Sequence, residues 1–182
     1  MSEPVSRGTP VLLDTNAIIE SHRIGAWRAL SGGYRVETVE DCVTETQTGF
    51  QMRRSEQSIV ANDLRASLAG AHAVGNRERA ELAVRIEGIA LDSGEEALWA
   101  HALSRKGGWL LCGPDRASLR CGVRLGFRER IVSLEALLEG VGYRPKISLK
   151  DHYTKKWLER TLAEFVFAER GRGGLQGGGV EP

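Results

Sequence analysis

The sequence predicts an α/β fold, a three-layer α/β/α sandwich around a central, mainly parallel sheet. Two observations carry this. Short apolar runs alternate with segments of helical spacing along most of the chain. The runs at 11–13 and 109–112 pass almost directly into helix starts, as strands buried on both faces do in α/β units. Size agrees: 182 residues, 41% of them hydrophobic, suit one core and are too few for two full-sized domains.

The first strand is the run 11–13, ending at Asp14-Thr15-Asn16, with a helix opening at Ala17-Ile18-Ile19-Glu20. Residues 34–39 alternate apolar with polar after Gly32-Gly33 and read as a second strand. A helix over 41–49 follows, with Asp41 as N-cap. Residues 59–69 have helical composition. Residues 76–87 place Ala80, Leu82, Ala83 and Ile86 at helical spacing behind Asn76. Ser93 is expected to cap the clearest helix, with Glu96 three residues on completing a capping box. Gly107-Gly108 ends it, residues 109–112 form the third strand, and Gly113-Pro114-Asp115 starts another helix with the proline in its first turn. Ile131-Val132 reads as a last short strand before a helix over 133–139. A helix over 149–170 carries Trp157, Leu158, Leu162, Phe165 and Val166 on its apolar side, and the glycine-rich remainder reads as a flexible tail.

Bulk charge narrows function little. Net charge is +1, so a nucleic-acid partner would have to be met by a local patch. Cys42, Cys112 and Cys121 are odd in number and lack CxxC spacing, which fits a reducing compartment better than a disulfide framework or a zinc site. The polar N-terminus offers neither a signal peptide's apolar core nor a membrane span. A soluble, cytoplasmic protein without a membrane partner is expected.

Ligands of open α/β sheets bind beyond the carboxyl ends of the strands. Asp14 and Asp115 fall there. Glu45 and Glu95 lie near the starts of helices. Each acid alone is explained as a cap, a dipole partner or a surface charge. Gathered at one sheet end they would repel one another, and a divalent cation is the usual compensation.

Four segments now carry a resemblance. VLLDTNAIIE resembles the opening strand of PIN-domain nucleases, TVEDCVTETQTG their second strand and acid-bearing helix, LDSGEEALWAHAL their GE-containing helix, and LLCGPDRASLR their last acidic turn. The resemblance puts the acids on Asp14, Glu45, Glu95 and Asp115, with Glu96 the competing assignment for the third. Gly113 departs from the pattern, which has a threonine there. What the resemblance implies is a Mg²⁺- or Mn²⁺-dependent endoribonuclease, with one metal or two left open. Asp14 and Asp115 would be direct or water-bridged ligands, Glu45 and Glu95 would complete the pocket, and Asn16 would hold a carboxylate or the attacking water. The cation would acidify a water for in-line attack and neutralise phosphoryl charge. Many such domains are toxins, so an antitoxin partner is implied by analogy; the C-terminal helix could cover the sheet, mediate a homodimer or contact a partner.

The expected layout is a flexible N-terminus (1–9), a PIN-like domain (10–145), a C-terminal helix (146–170) and a tail (171–182). Between residues 105 and 130 seven basic residues stand against Asp115 and Glu129. Arg116, Arg120 and Arg124 recur every four residues, one face of a helix, and would make a phosphate track for RNA. Arg53-Arg54 and Lys155-Lys156 are weaker basic candidates. His101, six residues after Glu95, sits on another part of its helix and reads as structural. Two other readings are set against this one: a catalytically silent PIN-like module that binds RNA or protein, and a haloacid-dehalogenase-type phosphatase. The second needs an Asp where the chain has Asn16. A P-loop is missing altogether.

Overall fold

In the computed structural model, which describes residues 5–48 and 59–174, four short strands form one all-parallel sheet. They are β1 (Pro10–Leu13), β2 (Arg35–Val39), β3 (Gly70–His72) and β4 (Leu110–Cys112), in the order β3-β2-β1-β4. The helices are α1 (Thr15–Arg23), α2 (Trp27–Gly33), α3 (Glu40–Thr48), α4 (Ala61–Ser67), α5 (Asn76–Arg85), α6 (Ser93–Ser104), α7 (Arg116–Arg124), α8 (Leu134–Val141) and α9 (Lys155–Gly174). Val11 and Leu13 face a core with Ile18 and Ile24 of the α1 region, Leu30 of α2, and Leu134, Leu137 and Leu138 of α8. Leu12 and Leu111 face the opposite core with Leu82 of α5, Leu98 and Trp99 of α6, Leu119 of α7, and Leu158 and Leu162 of α9. The alternation of β1 side chains between two apolar cores is why its sequence reads as an unbroken apolar run. The α/β/α sandwich expected from the sequence is the architecture observed.

Several details differ. β3 and α2 were not anticipated: Gly70-Ala71-His72 has no β-branched residue to signal a strand. The capping box of α6 sits one residue earlier than Ser93 and Glu96. Asp92 is the N-cap, accepting from the Glu95 amide at 2.8 Å, and the Glu95 carboxylate accepts from the Asp92 amide at 3.2 Å. Asp41 lies in the first turn of α3, and Gly75 caps α5 in place of Asn76. Pro114 precedes the N-cap Asp115. The last strand reduces to a single parallel bridge between Leu111 and Ile131. A turn at Asp151–Tyr153 separates the C-terminal helix from residue 149, and that helix runs on to Gly174. The N-terminal stretch is tied down at its inner end, where the Gly8 amide donates to the Gly33 carbonyl at 2.8 Å. Among the described residues no helix is long and apolar enough to cross a membrane.

Candidate metal centre

The strand order reverses between β1 and β4, the place where parallel sheets open a crevice at their carboxyl ends. Asp14 follows β1 directly, and Asp115 lies three residues beyond the end of β4. Asp14 is 3% exposed and caps α1, its Oδ1 accepting from the Ala17 amide at 2.6 Å. Asp115 caps α7 through the Ala117 and Ser118 amides at 2.7 and 3.3 Å. Capping is therefore real for both, and it uses Oδ1 in each case. Gly113 lines Asp14 so closely that a Cβ there would lie 2.7 Å from Asp14 Oδ2. This gives the departure from threonine a steric reason.

α3 brings Glu45 across. Its carboxylate accepts from the Thr15 hydroxyl at 2.6 Å and the Gly94 amide at 2.8 Å, linking α1, α3 and the first turn of α6. A Cβ on Gly94 would overlap that carboxylate. Glu95 turns inward, 7% exposed, whereas Glu96 turns outward to Arg79 at 3.2 Å. The geometry thus selects Glu95 over Glu96 as the inward acid. Asn16 is exposed on the first turn of α1; its carbonyl accepts from Tyr153, and among the described residues its amide makes no hydrogen bond to the acids. Sequence reasoning missed Asp92, whose charge acts on both Asp14 and Glu95. Its signal was the cap position three residues before Glu95.

Burial pushes the Asp14 carboxyl up to about 7; the Ala17 bond opposes this, and the charges of Asp115, Asp92 and Glu45 add to it. Burial also raises Glu95 to about 8; the charges of Asp115 and Asp92 add to this, and the bond from the Asp92 amide opposes it. Among the described residues no ion pair reaches Asp14, Glu45, Asp92, Glu95 or Asp115. An all-oxygen pocket of this kind has the chemistry Mg²⁺ and Mn²⁺ favour. No three of these acids bring ligand oxygens within 4.8 Å of one another, so such an ion would keep water between itself and part of the set.

Within the described residues the closer grouping is elsewhere. Ligand atoms of Glu37, His72 and His101 all lie within 4.8 Å of one another, beside Arg105. Burial works against the charge of Glu37, yet hydrogen bonds from Arg105 and His72 hold its carboxyl below the usual range. Burial and the neighbouring His72 and Arg105 take His101 down to about 4.

The arginine row is engaged by α9. Arg116 pairs with Glu164 at 2.8 Å and lies over the Phe165 ring, and Arg120 and Arg124 pair with Glu169 at 3.1 and 2.7 Å. The periodicity of the row is real, and in this arrangement its charges are paired with α9, with Arg116 at the exposed end. Arg53 and Arg54 lie outside the described residues, and Lys155 pairs with Glu139 at 2.7 Å. Trp99 and Trp109 are core residues, 0% and 3% exposed. Comparison of the chain with protein-family models and with curated proteins gives no match.

Proposed function

We propose that the chain is a metal-dependent endoribonuclease that hydrolyses RNA phosphodiester bonds with Mg²⁺ or Mn²⁺ in the acid pocket. One observation carries the reading: five carboxylates (Asp14, Glu45, Asp92, Glu95 and Asp115) act on one another at the carboxyl ends of β1 and β4, with no basic side chain among the described residues paired to any of them. Repulsion of that kind calls for a cation from outside the chain. RNA as the substrate rests on the four motifs that resemble PIN-domain nucleases, and so does an antitoxin partner.

In this reading Asp14 and Asp115 hold the cation, while Glu45 and Glu95 complete the oxygen set. The bound ion would neutralise charge on the phosphoryl oxygens and make a water more acidic for in-line attack. The chain's own residues prepare the place. Thr15 and Gly94 orient Glu45, and the helix caps fix Asp14 and Asp115 through one oxygen each. Glu95, raised to about 8, carries its proton near neutral pH in the metal-free chain and would release it when the pocket fills.

The test compares wild type and Asp14→Asn on labelled single-stranded RNA with Mg²⁺, Mn²⁺ or chelator, with circular dichroism to confirm folding. Cleavage should require metal and fall at least about a hundredfold in the variant. A folded wild type that cuts no RNA with either metal would sink the proposal.

A further inference from the structure

On the α6-covered side of β2, away from the acid pocket, three side chains converge on one buried carboxylate. Glu37 projects from β2 and is 3% exposed. His72 Nε2 lies 2.7 Å from Glu37 Oε2, and Arg105, the C-cap residue of α6, bonds the same oxygen through Nη1. That guanidinium nitrogen is also 3.4 Å from His101 Nε2. The His72 and His101 rings stack, with centroids 4.1 Å apart and planes 17° from parallel.

We infer that Glu37, His72 and His101 form a binding site for a divalent transition metal, Zn²⁺ by its donor set, whose place Arg105 holds in the metal-free chain. Two imidazoles and a carboxylate are the ligands a borderline-soft ion takes, leaving a fourth position for water. The all-oxygen acid pocket suits harder ions, so the two sites sort metals by chemistry.

Three observations support the site. The ligand atoms lie within 4.8 Å of one another, which side-chain rotation can close to coordination distance. Arg105 Nη1 already sits between an imidazole nitrogen and a carboxylate oxygen, where a coordinated cation would be. Glycine at position 70, opposite Glu37 in the β2–β3 register, lets the His72 ring fold back along its own strand. A Cβ there would lie 2.9 Å from His72 Nε2. Arg105 can yield, because it ends its helix and is followed by exposed residues 106–108. Metal bound here would fasten the three-residue edge strand β3 to α6.

Zn²⁺ would be titrated by calorimetry into the full chain, chelator-stripped and carrying Asp14→Asn to weaken the oxygen pocket. One equivalent should bind. His72→Ala and His101→Ala should each weaken binding at least about tenfold, while Arg105→Gln should tighten it several-fold by removing the internal competitor. Zn²⁺ should raise Tm in the parent and leave it unchanged in His72→Ala. Co²⁺ should give the visible absorption of a four-coordinate site, lost in His101→Ala. Arg105→Met replaces the glutamine variant if the latter does not fold. No saturable binding, binding that survives both histidine variants, or no tightening when Arg105 is removed would each overturn the inference.

Discussion

Glu37 and Asp14 are buried to the same degree, each 3% exposed, on neighbouring strands of one sheet. Their carboxyls nevertheless move in opposite directions. Glu37 is held below its ordinary range against the effect of burial, because Arg105 and His72 donate to it. Asp14 rises to about 7, because burial is joined by Asp115, Asp92 and Glu45. Burial raises both and weighs most on Asp14; what reverses it at Glu37 is the pair of donors, Arg105 and His72. One site contains its own cation, and the other is an arrangement of acids to which no basic side chain is paired among the described residues.

The largest contrast should be in stability without metal. Arg105→Gln leaves Glu37 buried beside His72 alone and should cost roughly 3 kcal/mol. Asp14→Asn should act the other way in chelator at pH 8, stabilising the chain by on the order of 2 kcal/mol, since asparagine still caps a helix while the repulsion is gone. The pH dependence follows. Asp14 and Glu95 are raised in the folded state, so their contribution is full below about pH 4 and is lost as pH rises through about 7 and about 8. Glu37 is lowered, so its contribution is present above the unfolded value and lost in acid. Metal-free wild type should therefore weaken between about pH 5.5 and about pH 8, and Asp14→Asn should flatten that slope. Urea unfolding at both pH values checks it. A loss of stability in Asp14→Asn at pH 8 would mean that Asp14 is no more than a cap.

A smaller effect should come from Gly113→Ala. The added Cβ would press on Asp14 Oδ2 at 2.7 Å, so the carboxylate or the turn must shift. Activity should fall by about tenfold or more, and stability by roughly 1–2 kcal/mol. Gly108→Ala, which meets nothing within 4 Å, should change stability by less than about 0.5 kcal/mol. Equal activity in the two variants would remove the steric account of Gly113.

The same contrast explains what could be read from the chain. Asp14 and Asp115 could be placed together from a local pattern, a buried strand running into an acid, whereas Glu45 and Glu95 were placed beside them only through a resemblance to the order of acids in PIN-domain nucleases. Thr15 as a donor to the pocket was also within reach. Asp92 was passed over since the capping box was placed on Ser93, one residue late, and a cap assignment conceals a charge. The Glu37 island was not legible at all. Its members stand at 37, 72, 101 and 105 on three elements, one of them a strand without β-forming residues, and only the β2–β3 pairing brings them together. The arginine row was legible in part. Spacing correctly placed Arg116, Arg120 and Arg124 on one face of α7, but nothing in that segment reveals that Glu164 and Glu169, some 45 residues on, meet it.

That row supplies the smallest predicted effect, and it separates exposed from buried compensation. Arg116 and Glu164 are 55% and 48% exposed, so water already screens each charge and their 2.8 Å pair should contribute little. Arg124 is 15% exposed and, with Arg120, draws Glu169 down to about 2. Arg116→Ala should shift stability by no more than about 0.5 kcal/mol, with the loss of its place over Phe165 included. If α9 keeps the row engaged, RNA affinity and its salt slope should also be the same in Arg116→Ala as in wild type. A true phosphate contact would instead lower the slope by about one per cation removed. Filter binding across a salt series distinguishes the two. A reduced slope would mean that α9 releases the row when RNA arrives, and the track would then belong to the bound state.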